Sequence, residues 1–516
     1  MFVLWGVVAA MLVGLLSCSE QEATMPKPQT PHKAPAIQVE YDSVEELNGK
    51  RAAIWTGTVG DPMTHKCFPD SPGWQYTKVS DMMLALQNGK VDFFVMEEPQ
   101  ARFLQAQQPA TCIMPNSLLV GWDYALAFSF EKRELCEAFS AEIRRLMQDG
   151  TVEKLKEKWF STDESIKTMP VRKPGSKGTL RIGTVPEVEP FTYIKNGEYV
   201  GLDLELATAI AEKLGYSTEF VMLDFGSFIE ALQAGKIDLM ASCITVTEER
   251  KEKLLFADSH YAGGCVVMVR NIAAQNNAAA GGSWLQETWS SLCTSFDRTF
   301  VRENRWKLVL EGLYVTIVIT LISAAIGTIL AFPVWLARTS ASRVLRSCST
   351  AYISLMQGTP IVVILMILYY VVFAKVDINS ILVASIGFGL NMSAYVGEML
   401  RTGIDGVPKG QREASLALGF TRLQTFRKVV LPQALRQILP VYRGEFINLL
   451  KTTSIVGYIA IQDLTKMSDI IRSRTYEAFF PLLATAVIYF LTAMLLASLL
   501  SYLEYRLNPK NRRNQG

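Results

Sequence analysis

The sequence predicts a multi-domain chain, with α/β lobes in its first half and an all-α membrane part of five spans in its second. Three observations carry that reading. Of 516 residues, 49% are hydrophobic and only 19% charged, with a mean hydropathy of +0.19, values that fit a soluble part averaged with a membrane part. Apolar stretches of full spanning length begin only after residue 312. The block Ala-Leu-Gln-x-Gly-Lys-[Val/Ile]-Asp occurs twice, at 85–92 and 231–238, each time where a helical pattern gives way to a strand. The net charge of +2 is too small to suggest a nucleic-acid partner.

Residues 1–18 form an apolar run of signal length ending in Leu15-Leu16-Ser17-Cys18. It resembles a bacterial lipoprotein signal, with Cys18 as the lipidated residue, although Lys and Arg are absent before it. Residues 19–36 carry four prolines and read as a flexible tether. No Cys-x-x-Cys occurs, and the three histidines are far apart, so no metal site is expected. An exported region permits disulfides, and Cys67 with Cys112 is the expected pair.

In residues 178–270 a strand (TLRIGTV) and a turn at Pro190-Phe191 precede a helix. Its Leu204, Ala207, Ile210, Ala211 and Leu214 recur at helical spacing. A strand (TEFVML), a helix ending at Gly235 and a strand from Lys236 follow. This β-α-β-α-β run predicts a largely parallel sheet. Residues 44–135 repeat the pattern more loosely: GKRAAIW, a turn at Gly57, a helix ending at Gly89, then VDFFVM. Each block therefore stops a helix at Gly, exposes Lys in the turn and sends a strand toward a crevice at its carboxyl end. The blocks are scaffold. The chemistry comes after them, as Glu97 and Glu98 beyond the first and Thr245 and Arg250 beyond the second.

Residues 313–337, 351–374, 378–397 and 478–503 are charge-free and long enough to span. A fifth candidate, 437–462, is interrupted by Arg443, Glu445 and Lys451. An exported first half with Arg506, Lys510, Arg512 and Arg513 inside requires an odd number of spans, so the fifth stretch should cross. The inner loops then hold fourteen Lys and Arg and the outer loops four. Charges within a span face a protein interface or a wet cavity. Arg443, Glu445 and Lys451, with Glu398, are thus translocation-path candidates, unless the first three pair with one another.

The long inner loop holds Glu413-Ala414-Ser415, three residues, Gly419, nine residues, then Val429-x-Leu431-Pro432. It resembles the E-A-A-x3-G-x9-I-x-L-P loop of ABC importer permeases, with Ser for the second Ala and Val for Ile. Gln357-Gly358-Thr359-Pro360, Ala394-Tyr395-Val396-Gly397-Glu398 and Lys451-Thr452-Thr453-Ser454 resemble the polar amino-acid branch of that family, over residues 300–507. Physically, Glu413–Leu418 suits a short helix, Gly419 its stop, and Pro432 a break in the next helical stretch. The chain has no Gly-x4-Gly-Lys-[Ser/Thr], so it has no phosphate-cradling loop of that kind. The resemblance implies a separate ATPase, carrying ATP and Mg²⁺, bound at this loop, and a second copy of the chain beside the first.

The two lobes resemble the bilobed, type II-like solute-binding proteins of polar amino-acid importers. Arg250 matches the arginine that takes a ligand carboxylate in a bidentate fork, a geometry guanidinium suits. Thr245 matches a donor to the same carboxylate, and Cys243 falls where a main-chain carbonyl receives the ammonium. Phe225 matches an apolar wall, and Glu97 the acidic partner of the ammonium, a Glu for the usual Asp. Gly57-Thr58 matches a turn of the second lobe, with Trp55 near the side-chain pocket. Val185 and Val188 replace an Asp and an aromatic found in some members, which disfavours a strongly cationic ligand.

The Arg-bearing lobe follows the acidic one, which implies a permuted order; two truncated tandem domains are the alternative. The expected partition is signal 1–18, tether 19–36, second lobe with closing helices 37–175, first lobe 176–272, linker 273–306, permease 307–507 and tail 508–516. The resemblance implies a non-enzymatic subunit that binds a polar amino acid outside a bacterial inner membrane and passes it inward. The alternative class is an amino-acid-gated channel without ATP coupling, for which a Thr-Val-Gly-Tyr-Gly-type filter would be expected; none is present.

Overall fold

The computed structural model describes residues 37–161, 163–273, 293, 295–374, 376, 378–475 and 479–507. The signal with Cys18, the tether and the tail 508–516 lie outside the described residues. The chain divides into two compact units, Met1–Leu308 with Ser468–Leu483, and Val309–Met467 with Ala484–Gly516.

The first unit begins with β1 (Ala52–Trp55), α1 (Gly60–Cys67), β2 (Gly73–Tyr76), α2 (Val79–Gln87), β3 (Phe93–Glu97), α3 (Glu98–Gln107), β4 (Thr111–Ile113) and β5 (Val120–Tyr124). The chain then crosses to a second sheet through β6 (Ala127–Phe128), α4 (Arg133–Gln148), α5 (Thr151–Phe160), β7 (Thr179–Thr184), β8 (Glu187–Val188), β9 (Thr192–Lys195) and β10 (Glu198–Val200). It continues with α6 (Leu202–Lys213), β11 (Ser217–Met222), α7 (Phe228–Gln233), β12 (Leu239–Met240), α8 (Glu248–Lys251) and β13 (Leu255–Phe256), and returns to the first sheet with β14 (Tyr261–Arg270). The sheet orders are β2-β1-β3-β14-β4, with β5 also on β14, and β11-β7-β12-β6-β13, while β10-β9-β8 form a small sheet of their own. Helical crossovers make β1 parallel to β2 and β3, and β7 parallel to β11 and β12. The strands that cross between lobes, β6, β13 and β14, pair antiparallel.

The sheets do not divide at residue 175, the expected boundary. Val266 to Val269 of β14 are buried on both faces, so this strand fits only a central place, between β3 and β4 of the first sheet. Phe128, Phe139, Ile143 and Val152, from β6, α4 and α5, share one core with Ile182, Leu206 and Leu239 of the second. Lys158 and the Trp159 indole both reach Glu205 Oε2 at 2.7 Å, tying α5 to α6. The lobe built on the first sheet has its own core, including Phe93, Val95, Cys112 and Val267.

Cys67 and Cys112 are free thiols, contrary to the expected pairing. Cys112 lies in that core, where burial pushes its thiol up to about 11, well away from the thiolate that exchange chemistry needs.

The repeated blocks end alike. Gly89 (φ +67°) and Gly235 (φ +64°) terminate α2 and α7 in the left-handed conformation that glycine tolerates. Asp92 accepts the Arg51 amide at 3.0 Å, and Asp238 the Arg181 amide at 2.8 Å, so each block pins the start of a parallel strand. The two lysines differ from each other: Lys90 is exposed as expected, but Lys236 is buried.

The second unit comprises most of α9 (Trp306–Arg338), α10 (Arg343–Gly358), α11 (Ile361–Ile367), α12 (Ser380–Asp405), α13 (Lys409–Ala417), α14 (Arg422–Thr425), α15 (Leu431–Thr452), the start of α16 (Leu464–Thr475) and most of α17 (Phe479–Leu507). Among the described residues, three helices are long and apolar enough to cross a membrane. A fourth crossing arises if Arg343–Gly358 and Ile361–Val372, bent by 106°, count as one. The expected fifth span is not a single apolar helix: α15 carries Arg436, Arg443, Glu445 and Lys451 and gives way to a 3₁₀ turn at Thr453–Ile459. Ile319, Phe388, Met392, Leu449 and Val456 lie at the core of this unit.

Candidate functional site

In the first unit the two lobes meet at the carboxyl ends of their parallel strands. The turn after β1 places Gly57 in the left-handed region (φ +83°), and a Cβ there would lie 3.5 Å from Gly226 Cα. Two glycines thus let the lobes approach backbone to backbone. Trp55 sits with its ring centroid 5.9 Å from Phe225. Arg250 spans the seam. One guanidinium nitrogen donates to the Thr245 carbonyl at 3.1 Å and the other to the Gly57 carbonyl at 3.2 Å. Its charge lies 5.5 Å from the Phe225 ring centroid, a cation–π distance. The surface ion pair with Glu248 or Glu249, the simpler use of this arginine, is not made; Lys251 and Lys253 take those carboxylates.

Glu97 closes β3 opposite Cys265 and is buried. Burial pushes its carboxyl above the ordinary range, opposed by its own backbone amide and by the Arg250 charge. Burial likewise lowers the Arg250 guanidinium, opposed first by Glu97. The site therefore sets a buried acid near a half-buried base, each partly stabilised by the other. Thr245 Oγ1 is buried with no hydrogen-bond partner among the described residues. Thr58 differs: its hydroxyl donates to the Trp55 carbonyl at 2.9 Å and accepts from the Gly60 amide at 3.3 Å, so it is used within the turn. Cys243 is held at φ +52°. Burial pushes its thiol far up, which makes it inert. Val185 and Val188 are both buried.

Sequence reasoning missed the buried groups behind this edge. Asp203 and His260 pair at 2.8 Å, and Ser242, Thr192 and Val185 are joined through Ser242 Oγ. A polar residue on the buried face of α6 was the available signal for Asp203. It also missed residues 468–475, which belong to this unit. There Arg472 pairs with Asp81, Lys78 with Asp469, and Arg474 with Glu189 and Glu303.

In the second unit, Glu413 and Ala414 lie exposed on α13. Gly419 ends that segment at φ +83°. Ser415, the departure from the motif, is buried and donates to Thr425 Oγ1 at 2.9 Å, bracing α13 on α14. Leu418 and Leu423 stand 79% and 64% exposed, an apolar face on a rigid bracket. Leu431 and Pro432 do not break the chain as expected. They open α15 after a π-turn at Phe426–Val430, a position where the missing proline N–H costs nothing.

Two of the membrane charges, Glu398 and Arg443, reach other elements. Glu398 bonds Arg338 at 2.9 Å and Arg401 at 2.7 Å, and Arg443 reaches Ser501 at 2.6 Å and Glu504 at 3.5 Å. Lys451 lines a largely apolar hollow of 480 Å³ with Tyr489 and Phe490; Glu445 is half-buried. No cluster of three metal-ligating side chains occurs among the described residues.

The family described as bacterial extracellular solute-binding proteins, family 3, matches residues 180–421. The L-cystine transport system permease protein TcyB of Bacillus subtilis is 35% identical over 220 residues, 42% of this chain and 94% of that protein. A putative glutamine transport system permease protein GlnP of Rickettsia bellii is 31% identical over 201 residues, 39% and 92% of the two chains. A solved amino acid ABC transporter with histidines is 31% identical, with a TM-score of 0.36, covering 44% of this chain and 100% of that one.

Proposed function

The chain belongs to the permease family of amino-acid ABC transporters and carries a solute-binding domain of family 3, and from that premise we propose that receptor and permease act as one importer subunit. It is a transporter component and not an enzyme. Its relatives are transport system permease proteins and its described residues include three helices long and apolar enough to cross a membrane, which supports an inner-membrane subunit with the binding domain outside. A polar amino acid is clamped between the lobes, its carboxylate on Arg250 and Thr245 and its ammonium on Glu97. The observation that supports this most is that half-buried Arg250, an unpartnered buried Thr245 hydroxyl and buried Glu97 come together at one seam among the described residues. Such groups are costly out of water unless a ligand of opposite polarity meets each.

Further parts of the reading rest on sequence and motif. The binding lobes are one domain in permuted order, and α15 with the turn after it forms the fifth span, leaving the C-terminus cytoplasmic. Cys18 is lipidated. Two copies pair, and a separate ATPase that holds ATP and Mg²⁺ docks on the exposed Leu418 and Leu423 beside Glu413.

The test is calorimetry on the full chain in lipid nanodiscs against the twenty common L-amino acids and L-cystine. Arg250→Ala should cost about 2–5 kcal/mol, roughly 30- to 4000-fold in Kd. Wild-type affinity in that variant refutes the assignment. Ligand-stimulated ATP hydrolysis that needs an added ATPase subunit separates import from a ligand-gated channel.

A further inference from the structure

The edge that carries Thr245 and Arg250 is built on an unusual backbone. Cys243 holds φ +52°, a left-handed conformation that side chains other than Gly, Asn and Asp seldom adopt. Something must hold it there, and its amide shows what: it donates to Asp203 Oδ2 at 2.6 Å. Asp203 is wholly buried and lies in the first turn of α6, where unpaired amides and the helix dipole favour a negative charge. Its other oxygen, Oδ1, meets His260 Nε2 at 2.8 Å, and His260 is 1% exposed.

His260 lies on the connection from β13 to β14, where the chain crosses back between the lobes. Its amide donates to the Tyr124 carbonyl at 3.2 Å, on the other crossover. The crossovers also hold the ligand edge directly, since Ala125 N donates to the Ile244 carbonyl at 3.0 Å and Val246 N to the Asp123 carbonyl at 2.8 Å. One buried chain of hydrogen bonds therefore runs from the hinge, through His260 and Asp203, to the strained residue beside the carboxylate site.

The network also fixes the imidazole. Nδ1 has no hydrogen-bond partner among the described residues, so a proton placed there would be a buried unpaired donor, whereas Nε2 faces a carboxylate oxygen. The tautomer assigned by these contacts is Nε2–H.

Resting on the amino-acid reading above, we propose that His260 and Asp203 are a positioning pair. They hold the Cys243–Thr245 backbone in its ligand-binding conformation and tie that conformation to the hinge between the lobes. Neither residue touches the ligand. Their effect is on how ready the edge is to receive a carboxylate, which is preorganisation and not contact.

The experiment compares His260→Gln with His260→Asn in the full chain in nanodiscs, using the amino acid that the wild type binds most tightly in the panel above. Gln places an amide nitrogen where Nε2 stood; Asn is one methylene shorter and cannot reach Asp203. Gln should stay within a few-fold of wild type, and Asn should weaken binding about 10- to 100-fold, the equivalent of one lost hydrogen bond to a charged group. His260→Leu should behave as Asn. If Leu fails to fold, the Gln and Asn pair still decides, because both are polar and differ only in reach. Equal affinities for Gln and Asn, or wild-type affinity in a folded Leu variant, overturn the proposal while leaving the parent reading intact. A wild type that binds no amino acid in the panel overturns the parent reading and this one with it.

Discussion

Thr245→Val is a near-isosteric change whose two expected effects have opposite signs. The Thr245 hydroxyl is 1% exposed and unpartnered among the described residues, although it lies next to the edge where Arg250 projects. In the free protein such a hydroxyl costs about 1–3 kcal/mol of uncompensated desolvation, and Val removes it at almost the same volume. The free chain should therefore be as stable as wild type or somewhat more so. With a carboxylate bound, the same hydroxyl donates to a charged acceptor, a bond of about 1.5–3 kcal/mol, so affinity should fall roughly 10- to 150-fold. Thermal unfolding without ligand and calorimetry with it, both on the full chain in nanodiscs, measure the two effects separately. A variant that is less stable when free, yet binds as wild type, would refute the reasoning, because the hydroxyl would then serve the fold.

Three further outcomes are expected. Burial raises the Glu97 carboxyl above its ordinary 4.5, so the stability of its protonated folded form is fully present below 4.5 and is lost as pH rises through the raised value; binding of an ammonium group needs the carboxylate and weakens as pH falls through that same value. Glu97→Gln should flatten both profiles, and a pH-dependent affinity unchanged in that variant argues against the role. Asp92→Ala and Asp238→Ala should each lower stability by about 1–3 kcal/mol, toward the lower figure because Arg51 and Lys132 are 42% and 43% exposed; for Asp92, burial raises the carboxyl but the Arg51 bonds outweigh it and leave it lowered, so its share of stability is present above the ordinary value and lost as pH falls through the lowered one. Leu418→Asp should leave amino-acid binding and stability within about 0.5 kcal/mol while abolishing ligand-stimulated ATP hydrolysis with an added ATPase subunit, and undiminished hydrolysis would show that the exposed leucines are not the docking face.

The parts of the fold that sequence made legible are those written in local pattern. Helical spacing in α6, the glycine stops at Gly89, Gly235 and Gly419, and the apolar length of α9, α12 and α17 all depend on residues a few positions apart. What it hid depends on distant partners. β14 reads as the end of the Arg-bearing lobe because it comes after that lobe in the chain. Only its two-sided burial, and a free place between β3 and β4, move it to the other sheet. Pro432 looked like a breaker because a π-turn that resets the ladder before it has no sequence signature. Arg250, Thr245 and Glu97 could be nominated from motif, whereas Asp203 and His260, 57 residues apart, could not.

The two repeated blocks sharpen what the site is built to do. In both, a buried Asp grips the amide of an arginine at the head of the neighbouring parallel strand, so both lobes present a shelf fixed by the same device. Identity ends where the shelf does. One strand delivers Glu97, and the other leads through the strained Cys243 to Thr245 and Arg250. Opposite charges on matched shelves suit the two ends common to every free amino acid, and they do so without reference to its side chain. Discrimination must then fall to the walls. Trp55, Phe225, Val185 and Val188 supply no charge there, and the charge that Phe225 faces is Arg250 itself, 5.5 Å away. A cationic side chain brought against that ring would meet Arg250 with no fixed anion from these four residues to offset it. An apolar or neutral polar side chain carries no such penalty, so on the proposed reading these walls disfavour a strongly cationic ligand and leave the choice among the others to the rest of the pocket.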